Sequence, residues 1–287
     1  MYVINQVTNA ENNMSQWLVE FQDVYYTYPG TNQPAIANLT LRIPQGKRCA
    51  VIGQNGCGKT TLFLLANGLY KPQQGGICYG GKRINYNRNS LIELRQQVGL
   101  VFQNPEQQLI ASTVEEDISY GLCNLGLSGK AISKRVPQVL DQFELTSFAK
   151  KPVHQLSLGQ KKLVSLAGVM VLQPSLLLLD EPTAYLDPLH TRQLAQTLAT
   201  IHTEGTTILM ATHDLEWVDR WADWVFVLNR GKLLLEGTPK DVFTQGDLLN
   251  KVKLSIPLRF QLSSLLDEVN QSTTIEQLKT KILQILD

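Results

Sequence analysis

A short apolar run, Cys49-Ala50-Val51-Ile52, drives into the octet Gly53-Gln54-Asn55-Gly56-Cys57-Gly58-Lys59-Thr60, and this passage restricts the fold most tightly. The octet fits GxxxxGK(S/T), a pattern that gains its meaning from a buried strand before it and a helix after it. Glycine lets the backbone curl so that successive N–H groups converge on one point. The helix that follows adds the positive end of its dipole. Together they form a cradle for phosphate oxygens, built from Gly53, Gln54, Asn55, Gly56, Cys57, Gly58 and Thr61 around two specialised side chains. Lys59 reaches β- and γ-phosphates, and the Thr60 hydroxyl is a ligand for Mg²⁺. Cys57 has two readings: a small filler, or a thiol whose pKa falls at a helix N-terminus and whose alkylation nucleotide would block.

The flanking pattern agrees with that placement. Residues Trp17 to Tyr28 and Ala35 to Ile43 read as strands, and Lys59 to Leu69 as a helix stopped at Tyr70-Lys71-Pro72. Thr113 to about Lys150 has helical period, whereas Leu176–Leu179, Thr206–Ala211 and Trp224–Leu228 are apolar runs of the buried parallel type. Alternation of strands and helices predicts an α/β fold with a P-loop NTPase core and a mainly parallel sheet. An N-terminal antiparallel β subdomain, an inserted helical lobe at about 104–165 and a helical C-terminal extension complete the expectation. The expected divisions are a flexible leader over 1–16, a nucleotide-binding domain over 17–243 and the extension over 244–287.

Composition removes several alternatives. Lys and Arg number 26 against 25 Asp and Glu, so charge points to no nucleic-acid partner. The four cysteines lack CxxC spacing, which argues against a zinc site or a disulfide framework. The most apolar stretch, Leu163 to Leu179, is broken by Gln173 and Pro174 and falls short of the ~20 residues a spanning helix needs. The polar first residues, MYVINQVTNAENNMSQ, do not resemble a signal peptide.

A second chemical centre lies at Leu176-Leu177-Leu178-Leu179-Asp180-Glu181, an apolar strand ending in two carboxylates. At the C-terminal edge of a parallel sheet, where α/β proteins bind ligands, one of the pair Asp180 and Glu181 can hold Mg²⁺, directly or through water, and the other can take a proton from attacking water. Between the two centres stands Leu156-Ser157-Leu158-Gly159-Gln160, which resembles the LSGGQ signature of the ABC ATPases. Asp180-Glu181-Pro182-Thr183 with Ala184-Tyr185-Leu186-Asp187 resembles that family's Walker B end and D-loop. Ala211-Thr212-His213-Asp214 resembles its switch-histidine segment, and Val101-Phe102-Gln103-Asn104-Pro105 its Q-loop. The resemblance covers about residues 18 to 240, with the motifs in the family's order.

That resemblance implies a head-to-tail dimer of cassettes, each ATP held between opposing faces. It implies Glu181 as general base, His213 positioning the γ-phosphate, Gln103 sensing Mg²⁺ and the attacking water, and Tyr28 stacking on adenine. It further implies that Ser157, Gly159 and Gln160 touch the partner's nucleotide and that Asp187 couples the two sites. Leu158 departs from the consensus glycine. Taken singly, Tyr28 reads equally as a core aromatic, His213 as a structural histidine and Ser157 as a helix cap.

Finer similarity lies in Val101–Leu109, in Thr113–Ile118 and in Asn67-Gly68-Leu69-Tyr70-Lys71-Pro72, which are similar to ATPases of energy-coupling-factor importers. The implied setting is the cytoplasmic face of the cell membrane. The implied partners are a second cassette, identical or paralogous, a transmembrane coupling protein and a substrate-binding membrane protein. The implied cargo is a micronutrient, a vitamin or a transition-metal ion. A soluble regulatory ATPase acting on the ribosome or DNA is the alternative. Glu106, Glu115, Glu116 and Asp117 are candidate acceptors for a coupling helix, or else a solvated helix start favoured by its dipole. Leu258, Leu262, Leu265 and Leu266, with Ile275, Leu278, Ile282 and Ile285, have near-helical spacing. They are read either as a dimer-holding surface or as packing onto their own domain.

Overall fold

The computed structural model describes residues 16–269, with side chains to residue 263. The leader expected over 1–16 and the helix expected at 274–286 therefore lie essentially outside the described residues. In chain order the first elements are β1 (Trp17–Tyr26), β2 (Ile36–Pro44), β3 (Arg48–Ile52), α1 (Lys59–Ala66), β4 (Gln74–Tyr79) and β5 (Lys82–Arg83). Next come α2 (Arg88–Gln97), β6 (Val98–Val101), α3 (Val114–Asn124), α4 (Gly129–Gln142), α5 (Leu158–Met170) and β7 (Leu176–Asp180). The remainder is α6 (Pro188–Thr203), β8 (Thr207–Ala211), α7 (Leu215–Trp221), β9 (Trp224–Asn229), β10 (Lys232–Gly237), α8 (Pro239–Phe243), α9 (Gly246–Lys251) and α10 (Leu258–Val269).

Two sheets result. One is antiparallel, ordered β2-β1-β4-β5, and the other is ordered β10-β9-β3-β8-β7-β6. In the second, β9, β3, β8, β7 and β6 run parallel, and only β10 pairs antiparallel. The α/β expectation, with its antiparallel N-terminal sheet and mainly parallel core, holds.

The parallel strands read as unbroken apolar runs because both faces are covered. Ala50, Ile52, Leu177, Leu179, Ile208 and Met210 face the cluster that also takes in α3, α4, α5, α6 and α7. Their neighbours Cys49, Val51, Leu176, Leu178, Leu209 and Ala211 face the opposite cluster, against α1 and the antiparallel sheet. Alternation along each strand thus feeds two cores with no polar face left over. In β2, by contrast, Asn38, Thr40 and Arg42 are exposed between buried neighbours, as in a half-buried strand.

Several boundaries differ from the sequence reading. The helix after the phosphate loop ends at Ala66, with Asn67 as C-cap and Gly68 turning at φ 70°, earlier than Leu69. The segment of helical period over 113–150 is helical in the structure, as two helices broken at Leu125-Gly126-Leu127 and followed by a 3₁₀ turn at Thr146–Phe148. Strands β4, β5, β6 and β10 and helix α2 were not anticipated. β5 has two residues, β4 contains Gly75-Gly76, β10 is largely exposed or half-buried and β6 lies immediately after α2, so local periodicity does not separate them.

Candidate functional site

The four neighbouring parallel strands β3, β8, β7 and β6 each deliver site residues just past their C-terminal ends. They bring Gly53, His213, the Asp180-Glu181 pair and Gln103 into one cleft of about 1230 Å³. Tyr28, Gln54, Asn55, Gly56, Gly58, Lys59, Thr60 and Thr61 line the same cleft.

The loop after β3 is shaped by glycine at two positions. Gly53 has φ 156°, and a Cβ there would stand 2.4 Å from the Leu228 carbonyl oxygen. Gly58, the N-cap of α1, has φ 110°, and a Cβ would lie 2.7 Å from the Ala35 carbonyl oxygen. Neither conformation nor space admits a larger residue. Lys59, buried, donates from Nζ to the Gly53 carbonyl at 2.7 Å. The Thr60 hydroxyl donates to Asp180 Oδ2 at 2.7 Å, joining the phosphate loop to the end of β7. Thr61 and the Tyr28 hydroxyl are 3.0 Å apart, and Tyr28 packs edge-on to Tyr26 and Tyr70.

Cys57 behaves differently from its neighbours. It does not line the cleft, and its side chain is buried in the core cluster beneath the loop. Burial pushes its thiol pKa up, more than Lys59 and the neighbouring backbone N–H groups draw it down. Burial thus opposes the activation that a helix N-terminus alone would produce, which favours the filler reading.

Asp180 and Glu181 are both buried, at 6% and 7% exposure. Burial, helped by the charge of Glu181, raises the Asp180 pKa, while the Thr60 hydrogen bond and Lys59 oppose the rise. Two carboxylates held in such a place are matched to a cation. Glu181 adopts a left-handed backbone, φ 45°, with its N–H bound to the Ala211 carbonyl at 2.8 Å. Its Oε2 lies 2.9 Å from His213 Nδ1.

Ser157, Gly159, Gln160 and Asp187 lie apart from the cleft. Ser157 and Gln160 form a capping box at the start of α5. Asp187 caps α6, accepting from the His190 N–H at 2.8 Å and meeting His190 Nδ1 at 2.7 Å. The His190 ring then abuts Gly159, where a Cβ would fall 2.8 Å from it. Signature and D-loop residues are thus neighbours on one surface of the chain, away from its own nucleotide cleft.

Sequence reasoning missed part of the cleft lining. Thr31 to Ala35, in the turn after β1, and Leu215, at the start of α7, lie there, as do Lys253, Leu254 and Ser255 beyond α9. No local motif marks these positions; tertiary packing brings them in. Of the acids considered for docking, Asp117 is buried and accepts from the Ile110 and Ala111 N–H groups at 2.8 and 2.9 Å. Glu116 closes a capping box with Thr113, and Glu106 pairs with Lys161 at 2.6 Å.

A strand–phosphate loop–helix unit facing two strand-end carboxylates defines a P-loop nucleotide hydrolase. The protein-family model "ABC transporter" matches residues 36–184. The chain belongs to the ABC transporter family of ATP-binding proteins, and it is an ATPase. It is 59% identical over 271 residues to an ABC transporter ATP-binding protein of Nostoc sp., covering 94% of this chain and 99% of that one. It is 38% identical to the energy-coupling factor transporter ATP-binding protein EcfA of Methanothermobacter thermautotrophicus, over 94% of this chain and 88% of the relative. Among solved structures it is similar to cbiO1 of Clostridium perfringens, part of the ABC transporter complex cbiONQ. The TM-score is 0.74 with 38% identity, covering 87% of this chain and 99% of the other. A dimeric ATP-binding cassette in a post-hydrolysis state, bound to ADP and Pi, matches with TM-score 0.70 and 28% identity, over 77% and 99% of the two chains. The resemblance to energy-coupling-factor ATPases is borne out.

Proposed function

We propose that this chain is the ATP-binding and ATP-hydrolysing subunit of an energy-coupling-factor importer. In this role it powers uptake of a micronutrient through separate membrane subunits. The observation that carries the reading is the convergence of Lys59, Thr60, Asp180, Glu181, Gln103 and His213 on one cleft. It is supported by near full-length similarity to proteins named as energy-coupling-factor ATPases. Among the described residues no helix is long and apolar enough to cross a membrane. We place the chain as a peripheral subunit on the cytoplasmic face, a reading supported by its similarity to proteins named as energy-coupling-factor ATPases.

The geometry supports the following proposed roles. Backbone N–H groups of Gly53 to Gly58 cradle the phosphates, with Gln54, Asn55 and Cys57 contributing main chain. Lys59 exchanges its carbonyl partner for β- and γ-phosphate oxygens. The hard-oxygen pair Thr60–Asp180 fits Mg²⁺, which takes a hydroxyl, a carboxylate and phosphate oxygens rather than an all-protein cage. When bound, Mg²⁺ neutralises charge that develops on the transferring phosphoryl group. Gln103, which lines the cleft, would help to hold Mg²⁺ through its amide oxygen and would orient water. Glu181 accepts the water proton, held in register by His213, which then reaches the γ-phosphate. Tyr28 offers its ring to adenine.

The surface formed by Ser157, Gly159, Gln160 and Asp187 supports a head-to-tail dimer, because these residues cannot serve their own cleft. We assign 17–243 to the nucleotide-binding domain, with the lobe at about 104–165, and 244–287 to an extension that helps to hold the dimer. The beginning of that extension also packs on its own domain. The Leu258 N–H donates to Glu216, Arg259 pairs with Asp219, and Phe260 lies against Phe243. For the membrane partner we favour the lobe surface carrying exposed Ile110 and Tyr120 together with Glu115, which, of the four acids considered, has no side-chain partner among the described residues.

Gentle solubilisation of membranes and recovery of the tagged chain tests the reading. A small multi-spanning coupling protein and a substrate-binding membrane protein should co-purify. Recovery solely in the soluble fraction, with ribosomes or DNA, would overturn the transport role and leave the ATPase standing.

A further inference from the structure

Lys162 is a buried cation that nothing in the hydrolytic scheme above uses. It sits one turn into α5, past the capping box of Ser157 and Gln160, and is 7% exposed. Its ammonium points across to the chain leaving β7. Nζ lies 2.8 Å from the Pro182 carbonyl oxygen, 2.5 Å from that of Ala184 and 3.5 Å from that of Glu181. A lysine ammonium has three donors and no acceptor, so three converging carbonyls match it one for one.

The segment it gathers is under backbone constraint. Glu181 holds a left-handed conformation at φ 45° and Tyr185 another at φ 64°. The Glu181 carbonyl closes a tight turn by accepting the Ala184 N–H at 3.1 Å. Non-glycine residues occupy such conformations when their surroundings over-determine them, and such residues cluster at functional sites. Beyond its own Oε2–His213 contact and its N–H to Ala211, Glu181 depends on this turn for its direction. The same turn leads three residues further to Asp187, which meets His190 against Gly159 of the signature.

We propose that Lys162 is a positioning residue for hydrolysis. By clamping the main chain of Glu181 to Ala184 to the signature helix, it fixes the direction of the general base and ties it to the dimer-facing surface. The inference rests on the reading of Glu181 as the base. It places the coupling between signature and base inside a single chain. A shift of α5 when a partner cassette's nucleotide engages Ser157 and Gly159 moves the carboxylate through the short hydrogen bonds to Pro182 and Ala184 and the longer one to Glu181.

The test is a double-mutant cycle in the full chain, with ATP turnover, KM and the thermal midpoint measured for each protein. Lys162→Met keeps length and removes all donors; Lys162→Gln restores two. With Lys162→Met folded, turnover should fall by at least about tenfold, since small misplacements of a reacting group carry such losses, and KM should stay within about twofold. In a Glu181→Gln background the same change should cost nothing further, because residues acting as one unit are not additive. Lys162→Gln should recover part of the turnover, and it carries the comparison if Lys162→Met does not fold. Wild-type turnover in folded Lys162→Met, or an equal loss in both backgrounds, overturns the proposal. If Glu181→Gln itself turns over like the wild type, the reading of the base fails first, and the cycle separates that outcome from a failure of Lys162 alone.

Discussion

Replacing Glu181 by Gln tests the chemistry most directly, because it removes one proton acceptor and almost nothing else. The side chain is 7% exposed and sits beside Asp180, with Oε2 at 2.9 Å from His213 Nδ1. A glutamine amide fills the same volume and retains an oxygen for that histidine. A general base contributes about 10²- to 10⁴-fold, which at 1.36 kcal/mol per decade is about 3–5 kcal/mol of barrier. Ground-state binding should move the other way. The Glu181 charge raises the Asp180 pKa, so its removal lets Asp180 ionise more readily and reduces repulsion of anionic nucleotide. Turnover at saturating MgATP should therefore fall by at least about a hundredfold, with nucleotide affinity unchanged or tighter. Phosphate release and equilibrium binding of a fluorescent ATP analogue measure the two quantities. ATP-loaded protein should also elute as a dimer on size exclusion. Turnover close to wild type would refute the assignment, and a matched loss of affinity and turnover would instead indicate damaged packing.

Other outcomes follow from the same geometry. Gly58→Ala forces a Cβ to within 2.7 Å of the Ala35 carbonyl oxygen at φ 110°, so nucleotide affinity should drop at least about tenfold in a titration, since glycine alone tolerates that backbone. Arg259→Ala strips the partner from Asp219, whose side chain is 3% exposed, but Arg259 itself is 63% exposed and its contribution is screened. The expected loss is about 1 kcal/mol in a urea unfolding curve, with faster proteolysis between α9 and α10. Burial, partly opposed by the Glu181 charge, lowers the Lys162 pKa from 10.5 to about 8. The ammonium clamp is complete below that pH, so turnover at saturating ATP should fall as pH rises through about 8, and Lys162→Met should lack this alkaline limb. Stability should respond in the opposite sense. Between about 8 and 10.5 the unfolded chain binds this proton more firmly, so the Lys162 contribution to folding stability rises across that window in a denaturation series.

How much of this was legible in the chain depends on how local the physics is. The phosphate loop is written in consecutive residues because its function is a backbone shape, and only glycine at Gly53 and Gly58 permits that shape. The Leu176–Asp180 strand is equally readable, since both its faces are buried and its end carries the carboxylates. The order of motifs along the chain was enough for the family and for the residues of the cleft that belong to motifs. Elsewhere the sequence was silent or left two readings open. Cys57 stands at a helix N-terminus, which lowers a thiol pKa, yet desolvation by the core beneath the loop exceeds that effect. Asp117 and Glu116 read as surface acids until their carboxylates are seen closing neighbouring backbone N–H groups. Lys162 looks like one more charge after the signature, and only the fold turns three carbonyls from the other side of the site toward it. What a residue does with its own backbone and near neighbours is set by short-range sterics and periodicity, which the sequence carries. Whether a charge is solvated, capped or clamped depends on groups distant in the chain, and only the packed tertiary structure brings those together.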